Sequence, residues 1–312
     1  MPTEKSTTQL PDFVVIGAQK GGSTYLLECL RDHPAIFMPP EEIPFCESGS
    51  MTVEQRTAFA RHFAGARPEQ RVGVKRPNLL GNHHSAKWLA EFLPEAKMIA
   101  ILRDPIERAV SGYFHYMATG LLPVLPIEEG LTMILDQQID PNEFPRAWEV
   151  LEFGLYARQL DLFDKYFPAG QSLVVLIDEV KNDAKSVLSR LYEFLGVDQN
   201  YRPRTIARRP MQSPYSLQRL KIRKWLYEPT RKRPQGASYL KAKRSPLAYL
   251  HRAFARMFDQ YLLKPLFPAK PPKLSSIVRQ RLIDYYRDDV AALSQRMEIS
   301  LDHWLPSKET PR

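Results

Sequence analysis

An α/β fold built on a mostly parallel sheet is what this 312-residue sequence predicts. Three short apolar runs have the length and composition of strands buried on both faces, and each is joined to a segment with helical spacing. The first run also passes through a glycine-rich turn straight into a helix, which is the punctuation of a β-loop-α unit.

The first strand covers Asp12-Phe-Val-Val-Ile-Gly17. Thr24 to His33 follows as a helix, with Leu26, Leu27 and Leu30 on one face and Pro34 ending it. Two further strands are Lys97 to Leu102 and Ser172 to Ile177, flanked by helical patterns at Ala86 to Phe92 and Ala184 to Leu195. Strands alternating with helices favour a layered architecture with a parallel sheet. From Arg202 to about Pro272 the chain is rich in Pro, Lys and Arg, with helices expected at Leu217 to Leu226 and Leu247 to Leu263. This stretch reads as an insertion on one domain spanning residues 12–312, after a flexible tail over residues 1–11. Ser276 to Met297 is a long amphipathic helix, and Leu301 to Leu305 closes the chain.

With 44% hydrophobic residues the chain can bury a large core without disulfides, and its two cysteines, Cys29 and Cys46, read as reduced thiols. No run of about eighteen apolar residues occurs, and no apolar segment follows Lys5, so the expectation is a cytoplasmic protein, soluble or membrane-peripheral. The net charge of +9 favours an anionic ligand, polyanion or membrane surface. Fourteen Lys or Arg stand against the single acid Glu228 between Arg202 and Arg244, so one segment carries the basicity.

The chemistry begins at Gly17-Ala-Gln-Lys20-Gly21-Gly22-Ser23-Thr24. A glycine-rich strand-to-helix turn aims backbone N–H groups, at the positive end of a helix dipole, toward a phosphate. The plainer reading is a tight helix entry capped by Ser23 or Thr24. Lys20 precedes both glycines, whereas an ATPase phosphate loop has its lysine after the last glycine, and a dinucleotide-binding glycine spacing is also missing. The second segment is Leu102-Arg103-Asp-Pro-Ile-Glu-Arg-Ala-Val-Ser111-Gly-Tyr. Arg103 falls at the carboxyl end of a strand, where open α/β sheets bind ligands, and Ser111 lies two turns into the next helix. Both can converge on one phosphate; alternatively Arg103 pairs with Asp104 or Glu107 on the surface.

The two segments, in this order, resemble the 5′-phosphosulfate and 3′-phosphate motifs of the sulfotransferase family, in the branch of the heparan sulfate sulfotransferases and their bacterial relatives. The resemblance covers about Asp12 to Leu195. It implies a P-loop-like three-layer α/β fold and 3′-phosphoadenosine-5′-phosphosulfate (PAPS) as sulfuryl donor, with 3′,5′-adenosine diphosphate (PAP) as product and no metal. It implies that Lys20, Gly21, Gly22, Ser23 and Thr24 hold the 5′ phosphosulfate, and Arg103 and Ser111 the 3′ phosphate. Phe37-Met-Pro-Pro-Glu41-Glu42-Ile-Pro-Phe45-Cys46-Glu47 is similar to the segment that carries the family's glutamate base, which puts Glu42 in that role. Burial assisted by Phe45 would raise the carboxyl pKa of such a base. Glu41 and Pro44 replace the lysine and histidine usual there, and Glu47 is a second candidate carboxylate. Gly73-Val-Lys75-Arg76-Pro77 resembles the strand end whose lysine enters the site, so Lys75 is a second cationic stabiliser and Arg76 a residue within reach of the acceptor. His83 and His84 lack the third ligand of a metal site.

The acceptor expected is a hydroxyl or amine of a glycan, lipid or small metabolite, with no nucleic-acid partner. Two rival readings are a P-loop kinase-like transferase and a non-catalytic protein that binds polyanions or membranes. Leu217, Leu220, Trp225 and Leu226 on one insertion helix, and Leu250, Phe254, Met257 and Phe258 on the other, form apolar strips beside basic residues. Peripheral contact with an anionic membrane is therefore also expected.

Overall fold

The computed structural model describes residues 9–47, 49–204, 215–232, 241–268 and 271–306. In chain order the elements are β1 (Phe13–Gly17), α1 (Ser23–Asp32), β2 (Ile36–Phe37), α2 (Val53–Ala60), β3 (Arg71–Lys75), α3 (Ser85–Phe92), β4 (Lys97–Leu102), α4 (Pro105–Thr119), α5 (Ile127–Leu135) and α6 (Glu149–Glu152). They continue with α7 (Tyr156–Asp164), β5 (Ser172–Leu176), α8 (Ile177–Leu195), α9 (Leu217–Tyr227), β6 (Arg231–Lys232), β7 (Lys241–Ala242), α10 (Pro246–Phe258), α11 (Lys264–Leu266) and α12 (Ser276–Met297). Residue contacts divide the chain into two compact units. One comprises Met1–Asp104, Leu155–Pro210 and Asp289–Ser300, and the other Pro105–Gly154, Met211–Asp288 and Leu301–Arg312.

The first unit holds a five-stranded sheet in the order β2-β3-β1-β4-β5, every pair parallel. The α/β expectation is met. Apolar β-branched runs put β1 and β4 at its centre, where Phe13 to Ile16 and Met98 to Leu102 are almost fully buried. Val15, Ile99, Ile101 and Val175 pack with Leu26 and Leu30 of α1 and with Leu188 and Leu191 of α8 in one core. The two-residue β2 is too short for any periodicity to show in sequence.

At α8 the sequence reading needs a correction: Ile177 starts the helix instead of ending the strand. The backbone N–H of Leu176 donates to Glu179 Oε2 at 2.9 Å, which turns the chain into helix at once. Asp183 then leaves helical geometry (φ −146°, ψ 79°) and its side chain accepts from the N–H of Ser186. That second cap is what the sequence signals as a helix start at Ala184.

The second unit contains α4 to α6, the antiparallel pair β6-β7, and the helices α9 to α11. Leu226, Ala255 and Leu263 form a small core with Ile222, Tyr227, Phe258 and Phe267. The apolar strip expected on α9 therefore faces inward: Leu220 and Leu226 are buried, and Trp225 alone is strongly exposed at 73%. After α10, residues Asp259–Leu263 widen into a π-turn. Asp259 is buried there and pairs with Arg219 (2.7 Å) and Arg223. Burial works against its charge, but the hydrogen bonds and charges of the two arginines outweigh it and hold Asp259 below the usual carboxylate range. Among the described residues, no helix is long and apolar enough to cross a membrane.

Candidate active site

The turn from β1 into α1 is built for close approach. A Cβ on Gly21 would stand 2.3 Å from the Ile101 carbonyl oxygen, so only glycine fits against the end of β4. Gly22 caps α1 at φ 95°, a left-handed conformation natural to glycine, and no side chain caps the helix there. The expected cap by Ser23 or Thr24 is thus not formed; Ser23 is the first helical residue and Thr24 lies exposed beside it. With glycine as the cap residue, the helix start receives no side-chain acceptor from its cap position, which suits it to an anion.

Lys20 occupies the left-handed region at φ 67°, unusual for a residue with a side chain and tolerated where the surroundings enforce it. Burial, followed by the positive charges of Arg103 and Lys75, holds its ammonium below the ordinary lysine value. Three cations that raise one another's energy are stabilised together by an anion placed among them. Gln19, just before the lysine, donates to Asn78 Oδ1 at 2.9 Å and ties the loop to the segment after β3.

Lys75 ends β3 with its side chain only 5% exposed. Its Nζ donates to Glu42 Oε1 at 2.6 Å and lies 3.5 Å from Thr24 Oγ1. The expectation of a buried Glu42 is corrected, since its side chain is 41% exposed. Phe45 is buried, but its ring packs tilted against Phe59 at 4.7 Å. Arg76 makes a two-pronged contact with Glu47 at 2.8 and 2.6 Å and stands 3.8 Å from Glu42. The two acids expected as rival bases therefore have different partners. Glu47 is fastened to Arg76, whereas Glu42 faces Lys75 with one side open to solvent. Ser85 and Asn82 donate to the Cys46 and Glu47 carbonyls and pin this loop, and burial pushes the Cys46 thiol up to about 12.

Arg103 follows the last residue of β4, and Tyr156, fully buried, donates its hydroxyl to the Arg103 carbonyl at 2.9 Å. Asp289 in turn accepts from the N–H groups of Ala157 and Arg158 at 3.1 and 3.0 Å, holding the first turn of α7. Burial, opposed by those bonds, raises the Asp289 carboxyl above its usual range. No sequence signal pointed to Asp289, one acid among several on a long helix. Lys20, Thr24, Glu42, Lys75 and Arg103 all lie in the first unit, at the carboxyl ends of its strands. Ser111 is buried on α4 of the second unit. The basic segment Arg231 to Gly236, which the sequence offers as a loop to cover the donor's adenosine, has only Arg231 and Lys232 among the described residues. His84 precedes α3 and packs its ring against Trp88.

Comparison with known proteins gives this geometry its context. Residues 10–235 match the model of the sulfotransferase domain. The mouse heparan sulfate glucosamine 3-O-sulfotransferase 3A1 is 28% identical over 195 residues, 62% of this chain and 48% of that protein. The Caenorhabditis briggsae bifunctional heparan sulfate N-deacetylase/N-sulfotransferase 1 is 28% identical over 198 residues, 61% of this chain and 23% of that protein. The chain thus spans about half the length of the first of these relatives, or less. A solved sulfotransferase from Alicyclobacillus acidocaldarius superposes with a TM-score of 0.64 at 21% identity, covering 95% of this chain and 99% of that one. The shared architecture is the P-loop-like α/β fold. With more than two thirds of its length matched to that domain, the chain belongs to the sulfotransferase family.

Proposed function

We propose that this protein transfers a sulfuryl group from PAPS to a hydroxyl of a glycan acceptor, with Glu42 as general base. The observation that carries the reading is the meeting of Lys20, Lys75 and Arg103 at a glycine turn, with Glu42 held against one of those cations. The site fits the donor on its own terms. An uncapped helix start and a cationic cluster suit a phosphosulfate, and Gly21 keeps the loop flush with the end of β4.

Lys20 and the N–H groups of Gly21, Gly22, Ser23 and Thr24 hold the 5′ end, and Arg103 with Ser111 holds the 3′ phosphate. The donor supplies an activated sulfuryl group whose bond to the phosphate oxygen breaks as the bond to the acceptor oxygen forms. Glu42 takes the acceptor's proton, and Lys20 and Lys75 stabilise the charge that collects on the leaving oxygen. The hydrogen bond from Lys75 aims the Glu42 carboxyl group before the acceptor arrives. A hydroxylated glycan is favoured as acceptor because the relatives above are named for heparan sulfate. Contact with an anionic membrane is also part of this reading.

Calorimetry with PAP tests the donor assignment. Lys20→Ala and Arg103→Ala should each weaken binding by about 1.5–3 kcal/mol, the scale of charged hydrogen bonds. Unchanged affinity in both folded variants, or preference for ATP with Mg²⁺ over PAP, would refute it.

A further inference from the structure

In the second unit, α10 carries an apolar stripe turned away from its own core. Ala255 and Ala248 face inward, while Leu247, Leu250, Phe254 and Met257 are 78%, 65%, 55% and 54% exposed. Their spacing of three and four residues confines them to an arc of roughly 80° on a helix of 3.6 residues per turn. Tyr261, in the π-turn that follows, continues the line and is 78% exposed. A stripe of this width on a helix normally faces a core or a partner.

The charges around it have one sign. Lys243 and Arg244 precede α10, Arg256 stands on its other exposed flank, and Lys264 follows the π-turn; all four are exposed. Between Lys241 and Pro268 the only acid is Asp259, which is buried and neutralised by Arg219 and Arg223. A second copy of this helix would bring cations against cations with no exposed carboxylate in the segment to answer them. A soluble polyanion would answer the charges yet leave Leu250 and Phe254 in water. A surface that offers both acyl chains and negative headgroups answers both features.

We infer that the α10 face of this protein docks on the surface of an anionic lipid bilayer. Leu247, Leu250, Phe254, Met257 and Tyr261 enter the headgroup boundary, while Arg256, Lys264, Lys243 and Arg244 meet the lipid phosphates. The inference corrects the sequence expectation on one point: α9 gives its leucines to the small core, so α10 is the docking helix. It stands independently of the donor-binding reading.

Cosedimentation of the full chain with phosphatidylcholine vesicles, with and without phosphatidylserine, tests it. Binding should require phosphatidylserine and fade as salt shortens the Debye length from about 10 Å at 0.1 M to about 3 Å at 1 M. The double variant Phe254→Ser/Met257→Ser should lose at least about tenfold in partitioning. Arg256→Gln and Lys264→Gln should lose about fivefold each. The substituted side chains are exposed, so the variants keep their fold, and unchanged PAP titrations verify that while keeping the two proposals separate. Absence of sedimentation at low salt would overturn the inference, as would equal binding to neutral vesicles or full binding by the double variant. So would a wild-type dimer in analytical ultracentrifugation that Phe254→Ser/Met257→Ser converts to monomer, which would make the face a self-interface.

Discussion

Replacing the carboxylate of Glu42 separates its proposed catalytic role from its structural one, because its ion pair with Lys75 is unequally buried. Lys75 is 5% exposed and Glu42 is 41% exposed, at 2.6 Å. In Glu42→Gln the lysine keeps a neutral acceptor and loses a charged one, and the difference between those two kinds of hydrogen bond is about 1 kcal/mol. In Glu42→Ala it keeps only Thr24 Oγ1 at 3.5 Å, and a buried cation without its partner costs about 1–3 kcal/mol. The converse change, Lys75→Met, preserves the buried stem and leaves Glu42 to water and to Arg76 at 3.8 Å, so it should cost less than about 1 kcal/mol. Thermal unfolding should therefore rank Glu42→Ala below Glu42→Gln and Glu42→Gln below Lys75→Met, with about 2–4 °C per kcal/mol. Transfer of labelled sulfuryl to glycan acceptors should drop about 10²–10⁴-fold in Glu42→Gln, the usual worth of a general base, with PAP affinity kept. Wild-type turnover in Glu42→Gln would remove the base from the mechanism, and a Lys75→Met variant less stable than Glu42→Ala would refute the asymmetry.

Asp259→Asn should destabilise the protein by about 3 kcal/mol at neutral pH, because Arg219 and Arg223 stay half-buried around a neutral amide. The folded carboxyl is held below its unfolded value of about 3.9, so its contribution is present above that value and is lost as pH falls through the lower, folded one. The gap between wild type and Asp259→Asn in thermal unfolding should accordingly narrow below about pH 4, and a gap that widened on acidification would contradict the pairing. Gly21→Ala places a Cβ 2.3 Å from a backbone oxygen of β4 that has no rotamer to retreat into. It should cost about 3 kcal/mol, the upper part of the overpacking range, and weaken PAP in calorimetry, whereas full affinity would show that the turn is looser than described.

The sequence carried the frame of the site because its parts are local. The glycine turn, the lysine before it, and the arginine at a strand end each signal themselves within a few residues. The strands at Phe13–Gly17 and Lys97–Leu102 are short, nearly continuous apolar runs bounded by turn and helix signals, the pattern of strands buried on both faces. Pairings between distant segments were not legible. Nothing in the sequence indicates that Arg76 selects Glu47 while Lys75 takes Glu42, since both acids lie within six residues of each other on one loop. The amphipathic faces of α9 and α10 were equally visible, but which one packs inward depends on where the small core around Leu226 and Ala255 forms. Burial of Glu42 was expected from a neighbouring Phe45, whose ring turns instead to Phe59.

The hydrogen bond from Tyr156 to the Arg103 carbonyl has a consequence for the order in which the protein is completed. The end of β4 is fixed by a residue 53 positions later, and that residue sits in a helical turn fastened by Asp289, which follows Ala157 by 132 positions. During synthesis the glycine turn and every cation around it emerge early. The bonds to Asp289 are supplied only when α12 leaves the ribosome. A nascent chain halted before Asp289 would display the glycine turn without the bonds that hold the first turn of α7, so the proposed donor site depends on contacts made long after its own residues are synthesised.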